Sequence, residues 1–181
     1  MSRISILPDI LCNQIAAGEV VERPAAVVKE LLENSLDAGG RKISLALLQG
    51  GRKEIRVVDD GSGMSPDDAL LALERHATSK IKAIEDLQAI RSLGFRGEAL
   101  PSIAAVSRFE MVTREAASLS GIAIRMDGGT LKDVRETGCP AGTAITVRDL
   151  FYNLPARRKF LRSIDNELSH ISDQVLRLAM A

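Results

Sequence analysis

Tryptophan is missing from this 181-residue chain, and its only aromatic residues are Tyr152 and four Phe. So few rings argue against a platform on which the bases of a single strand could stack. A net charge is missing too. Lys plus Arg and Asp plus Glu both number 24, so no global basic field points to nucleic acid. The two cysteines, Cys12 and Cys139, stand far apart without metal-ligand spacing, which reads as two buried thiols in a reducing compartment. No segment approaches the roughly 18 apolar residues of a membrane span. The N-terminus MSRISILPDILCNQ places Pro8, Asp9 and Asn13 where a signal peptide needs an apolar run. The expected location is cytoplasmic, with no membrane partner. The P-loop pattern G-x-x-x-x-G-K-[ST] does not occur, and DDGSGM lacks the G-x-G-x-x-G spacing. Any nucleotide site must therefore use other chemistry.

What is present reads as one globular domain, residues 1–181, with 45% hydrophobic and 27% charged residues. Residues 9–17 read as a short helix closed by Gly18, and 24–38 as a longer one with Pro24 in its first turn. ISLALL (43–48) and EIRVVD (54–59), joined across Gly50-Gly51, read as a hairpin. Ser65-Pro66-Asp67-Asp68 opens a helix reaching about Arg75. Further helices are expected at 81–93 and 99–106, strands at 108–114, 121–126 and 143–148, and a weaker strand at 131–135. From Pro155 the chain reads as helical up to Ala181, without a stop signal, as if cut from a longer parent. Hairpins and helices in mixed blocks exclude a doubly wound parallel sheet. The fold class expected is α+β, a two-layer sandwich with helices over one face of a mixed sheet.

Within VVKELLENSLDAGG (27–40), Glu30, Asn34 and Asp37 recur at i, i+4 and i+7 and share one helical stripe. Val28, Leu31, Leu32 and Leu36 occupy the opposite arc. Taken alone, the stripe is a solvated face of an amphipathic helix. DDGSGM (59–64) is an ordinary Asp-Gly turn, or else a strand end that holds Asp59 at a cavity. In the second reading Gly61 and Gly63 admit a flat ring close to the backbone, and the carboxylate accepts from an exocyclic amine such as adenine N6. GFRGEAL (94–100) is a flexible connection or an anion site at a helix start. ATSK (77–80) is an interhelical turn with a capping hydroxyl, or two hydroxyls and an ammonium near a ligand. His76 and His170 carry no assigned chemistry.

The order of these segments is more specific than any one of them. ELLEN, DDGSGM, RHATSK, GFRGEAL, GTAITV and DLFYNLPARRKFL, together with IAAGEVVERP (15–24), resemble the MutL family of DNA mismatch-repair proteins. That family belongs to the wider group of gyrase, heat-shock-chaperone and histidine-kinase type ATPases. The resemblance runs from residue 15 to about Leu161. It implies a Bergerat-type ATP-binding fold, with ATP and Mg²⁺ as cofactors. Glu30 matches the general base that activates water on the terminal phosphate, and Asn34 the Mg²⁺ ligand. Asp59 matches the adenine-binding Asp, with Gly63 beside the base and Thr143 completing the site through a shared water. Thr78, Ser79 and Lys80 fall near the nucleotide, and Gly94, Arg96 and Gly97 belong to the lid around the phosphates.

The family further implies slow hydrolysis that gates ATP-dependent homodimerisation in mismatch repair. Partners are the mismatch-recognition protein MutS, a downstream nuclease or helicase, and DNA through the intact N-terminal half. In a bacterium the protein would be nucleoid-associated, in a eukaryote nuclear. Arg157, Arg158, Lys159 and Arg162 form a basic cluster that by itself reads as a solvated helix face. Two departures matter. The family has Asp-Asn-Gly where this chain has Asp59-Asp60-Gly61, and an extra carboxylate there weakens phosphate binding unless it points to solvent. The family's phosphate-sensing Lys comes from a following domain that these residues do not include, so the fragment is expected to bind ATP yet hydrolyse it poorly. An ATPase switch and an ATP-binding adaptor whose dimerisation alone carries function both remain open.

Overall fold

The computed structural model describes residues 17, 18, 20–74 and 97–180. Among the described residues, five helices and six strands have both ends placed, in chain order: α1 (Pro24–Asp37), β1 (Ile43–Leu48), β2 (Glu54–Asp59), α2 (Pro66–Leu71), α3 (Ala99–Ala105), β3 (Arg108–Arg114), β4 (Gly121–Asp127), β5 (Thr130–Thr137), β6 (Gly142–Arg148), α4 (Pro155–Phe160) and α5 (Ile164–Ala179). Residues 9–16 of the helix expected at 9–17, the helix expected at 81–93 and Cys12 lie outside the described residues; Ala17, Gly18 and Val20 are helical, so Gly18 does not close that helix. Cys139 is a free thiol, half-buried rather than buried.

The strands form one sheet in the order β1-β2-β6-β3-β4-β5. The two-layer α+β class holds, with one correction. A mixed sheet is expected from the sequence, but every described strand pair is antiparallel. Hairpins make antiparallel pairs by construction, and β6 enters between β2 and β3 running against both.

Register arranges the inner face in rows. Leu47, Ile55, Val147 and Phe109 stand directly opposite one another across four strands. The next row is Leu45, Val57, Ile145, Met111 and Ile124. These residues are buried or packed on the core, while Arg56, Arg108 and Arg148 of the opposite face are exposed. The alternation expected of a sheet covered on one side runs through β2 and β3, while Ala123 of β4 and Thr146 of β6 are buried on the outer face as well. On that outer face Arg148 bridges Glu54 at 2.8 Å and Glu110 at 3.1 Å.

The covering layer comes from α1 on β2, α2 on β4, and α3 on β3 and β4, while α5 packs against α1. Val27, Val28, Leu31 and Leu32 of α1 are buried, whereas Leu36 is exposed. Ser65 caps α2 by accepting from the Asp68 N–H at 3.2 Å, as its sequence signature requires. The β1–β2 turn is tucked under both flanking helices. A Cβ on Gly50 would meet the Ile164 carbonyl at 2.8 Å, and one on Gly51 would meet Pro24 at 2.9 Å. The tail is two helices, because the chain is extended at Leu161 before α5 begins.

Candidate functional site

The third row of the inner face departs from the other two. Between Ile43 and Ile122 it reads Asp59, Thr143, Thr113, three polar residues where the neighbouring rows are aliphatic or aromatic. Asp59 is 9% exposed and Thr113 is fully buried. A carboxylate buried this far is tolerated only with hydrogen bonds. Three reach it. The Ser35 hydroxyl donates to Oδ2 at 2.8 Å, and the N–H groups of Gly61 and Thr143 donate to Oδ1 at 3.0 and 3.3 Å. A carboxylate has about four acceptor sites. One lone pair on Oδ2 is left for a donor from outside this set.

The loop after β2 is fastened on two sides. Ser62 N–H donates to the Ala38 carbonyl at 2.9 Å, and Met64 N–H donates to Thr113 Oγ1 at 3.0 Å. Between them Gly63 has φ of +68°, and a Cβ there would lie 2.0 Å from the Arg114 carbonyl oxygen. The sequence reading gives Gly63 a ligand-side reason, the approach of a ring. The fold supplies a protein-side one, because β3 already fills that space. Asp60 is exposed, and its Oδ1 accepts the N–H of Arg41 at 2.7 Å and of Lys42 at 2.8 Å. Those bonds, Lys42 first, hold its carboxyl below the ordinary carboxylate range. The extra carboxylate thus serves the connection into β1 and is turned to solvent.

Glu30 and Asn34 lie one turn apart on α1, about 6 Å of helix rise, and both are half-buried. Ser35 follows on the adjoining arc, so the helix that carries the stripe also touches Asp59. Lys29 lies 3.6 Å from Glu30 Oε1 and 3.0 Å from Glu33. Burial opposes the Lys29 charge, but the Glu33 hydrogen bond and then Glu30 outweigh it and raise its pKa. Asp37, the last residue of α1, is exposed. Among the described residues no group of three or more His, Cys, Asp or Glu could cage a metal. A carboxamide beside a carboxylate suits Mg²⁺ only if phosphates and waters supply most of its octahedron.

Of the other residues expected at the site, Gly97 precedes Glu98, the N-cap of α3, and has φ of +63°, a conformation that favours glycine. Thr78, Ser79, Lys80, Gly94 and Arg96 lie outside the described residues. Glu30, Asn34, Asp59, Gly63 and Thr143 therefore belong to α1, the β2 end with its loop, and the β6 start. Three participants are missed by sequence reasoning: Ser35, Thr113 and Lys29. Ser35 carries a signal in hindsight, being a polar residue four positions after Leu31 on the apolar arc. Arg157 is also read wrongly as part of a solvated face. Its guanidinium donates to the Val21 carbonyl at 3.0 Å, stacks over Phe151 at 6.0 Å, and occupies the space that a Cβ on Gly18 would need.

Residues 22–141 match the family described as histidine kinase-, DNA gyrase B- and HSP90-like ATPases. The DNA mismatch repair protein MutL of Syntrophobacter fumaroxidans is 77% identical over all 181 residues, which make up 27% of that protein. The MutL of Symbiobacterium thermophilum is 59% identical over the whole chain, 28% of its own length. The chain thus spans little more than a quarter of these relatives. Among solved structures, the Aquifex aeolicus MutL ATPase domain complexed with ADP superposes with a TM-score of 0.67 at 36% identity, over 86% of this chain and 54% of that one. The N-terminal domain of a DNA repair protein gives a TM-score of 0.72 at 28% identity, over 88% and 45%. With the polar row at the sheet end and helix α1 beside it, these likenesses show that the chain belongs to the histidine kinase-, DNA gyrase B- and HSP90-like ATPase family, on its MutL branch.

Proposed function

We propose that this chain is the ATP-binding domain of a slow, Mg²⁺-dependent ATPase that acts as a nucleotide-gated dimerisation switch in DNA mismatch repair. The observation that carries the reading is the Asp59 row: a buried carboxylate, three-quarters satisfied by the protein, keeps one acceptor site on Oδ2. Adenine N6 supplies the donor that site lacks. The relative from Aquifex aeolicus, described as complexed with ADP, supports an adenine nucleotide. Thr143 and Gly63 complete the base side. Asn34 would hold Mg²⁺, which compensates charge on the phosphate oxygens when bound. Glu30, one turn away and a quarter exposed, orients the attacking water. Thr78, Ser79, Lys80, Gly94, Arg96 and Gly97 are assigned to the phosphates and the lid.

Residues 1–181 make one such domain, and a following domain supplies the phosphate-sensing Lys that speeds hydrolysis. Two copies then close on ATP and engage MutS, a downstream nuclease or helicase, and DNA. The location that suits this work is the cytoplasm, at the nucleoid. Among the described residues no helix is long and apolar enough to cross a membrane. Calorimetry of ATP and GTP, each with and without Mg²⁺, tests the reading. ATP should bind more tightly with the metal and GTP far more weakly; equal affinity for the two nucleotides overturns it.

A second reading, an adaptor that dimerises on ATP with hydrolysis incidental, draws on the Lys29–Glu30 ion pair, which competes for the proposed base. Nucleotide-dependent dimerisation indifferent to Glu30→Ala, with no Glu30-dependent turnover, would favour it.

A further inference from the structure

Thr113 sits at the inner end of the polar row, fully buried, and its hydroxyl oxygen has three neighbours besides its own carbon. Met64 N–H lies 3.0 Å away, the Gly142 carbonyl oxygen 3.1 Å away, and the Thr143 hydroxyl oxygen 2.9 Å away. A hydroxyl has one proton and two lone pairs. The Met64 N–H can only donate, so it takes one lone pair. The Gly142 carbonyl can only accept, so it takes the proton. What remains on Thr113 is a single lone pair, and the Thr143 hydroxyl must donate to it. The Thr143 proton is thereby committed inward, and only lone pairs of Thr143 face the base side. Asp59 beside it also offers only lone pairs.

We infer that Thr113 is a positioning residue for base selection: by fixing the direction of the Thr143 hydroxyl, it makes the floor of the pocket a surface of acceptors only. This rests on the reading of Asp59 and Thr143 as the base site and adds a residue that never touches the ligand. The consequence is a sharper choice between purines. A 6-amino edge brings donors to the floor, directly or through a water that donates to Thr143. A 6-oxo edge brings another acceptor, and a Thr143 hydroxyl already committed to Thr113 cannot turn to meet it. If Thr113 lost its oxygen, the Thr143 hydroxyl would be free to rotate and donate to O6. The rejection of 6-oxo purines would then rest on Asp59 alone.

The experiment measures ATP and ITP affinity by calorimetry in this chain, using ITP because it differs from ATP only in the 6-oxo group and the N1 proton that accompanies it. Wild type should prefer ATP. Thr113→Val, close in volume, should lower the ATP-to-ITP affinity ratio about five- to tenfold, the worth of one neutral hydrogen bond. Thr113→Ser, which keeps the hydroxyl, should restore the ratio. A purely structural role predicts that Thr113→Val weakens both nucleotides equally, and an unchanged ratio overturns the inference while leaving the Asp59 site standing. If thermal melts show that Thr113→Val does not fold, Thr113→Cys takes its place. Its weak S–H should give an intermediate ratio, and a wild-type ratio overturns the inference. A wild type indifferent between ATP and ITP brings down the base-site reading itself, and this inference with it.

Discussion

Replacing Asp59 by Asn changes one atom of the site, and the surrounding bonds decide which one. Oδ1 accepts from two backbone N–H groups, Gly61 and Thr143, neither of which can reverse. The Asn carbonyl must take that position, which puts its NH₂ where Oδ2 was. The partner there is the Ser35 hydroxyl, which can rotate from donor to acceptor at little cost. Asp59→Asn should therefore fold, with a melting temperature within a few degrees of wild type. The ligand, however, now meets a donor in place of an acceptor. Loss of a hydrogen bond to a charged group costs about 1.5–3 kcal/mol, roughly a ten- to hundredfold fall in ATP affinity. The O6 of guanine gains a partner by the same change, so the preference should move toward GTP. Calorimetry with both nucleotides, alongside thermal melts, reads the two effects separately. An Asp59→Asn protein that melts normally and binds ATP as wild type does would refute the reasoning. Asp59→Ala should behave differently, because it strands the Ser35, Gly61 and Thr143 donors and costs stability as well as binding.

In a chain that carries the following domain, Glu30→Ala should keep ATP binding and dimerisation while phosphate release falls about 10²–10⁴-fold. Asn34→Ala should lose binding, dimerisation and turnover together, and equal loss of binding in both would remove the base role from Glu30. Gly63→Ala should destabilise the fold by about 2–4 kcal/mol in denaturant titration, since it adds a strained φ and a clash with the Arg114 carbonyl. A normal midpoint would show that the loop yields. Asp60 has its carboxyl depressed by the Lys42 and Arg41 N–H groups, so its stabilising effect is present above the unfolded carboxylate pKa, about 3.9. It should disappear as pH falls through the lower folded value. Asp60→Asn keeps a carbonyl for the same N–H groups and should flatten that acid limb in urea melts at stepped pH, without lowering the neutral plateau much.

Local signals were legible and non-local ones were not. Pro24 and the apolar arc mark α1 to within a residue of its end, and the alternation of EIRVVD marks β2 with both boundaries. The motif order points to Glu30, Asn34, Asp59 and Thr143 because each carries its chemistry in its own side chain. Ser35 and Thr113 act through partners set by register, and nothing near Thr113 in sequence announces that it will stand opposite Thr143. Edge strand β5 runs over Thr130–Thr137, longer than the weak pattern at 131–135 suggests, because residues on both of its faces are largely exposed and show little alternation. Arg157 escapes for the same reason as Thr113. Its inward turn depends on the space at Gly18 and the Val21 carbonyl, 136 positions away.

Strand β6 is the last of the described strands in sequence yet lies in the middle of the sheet, with β1-β2 on one side and β3-β4-β5 on the other. Until it is in place the protein can have a hairpin and a three-stranded meander, both built from neighbouring segments, but nothing to join them. Closing that gap brings Thr143 to Asp59 across 84 positions, the kind of distant pairing that slows folding most. The proposed base pocket therefore comes into existence only with that pairing. A partly folded chain has no selective grip on a nucleotide, and one truncated before Arg148 should never acquire it. Nucleotide, binding only the completed sheet, adds its free energy to the step that completes it. Competence to bind thus doubles as a test that synthesis and folding have reached the centre of the sheet.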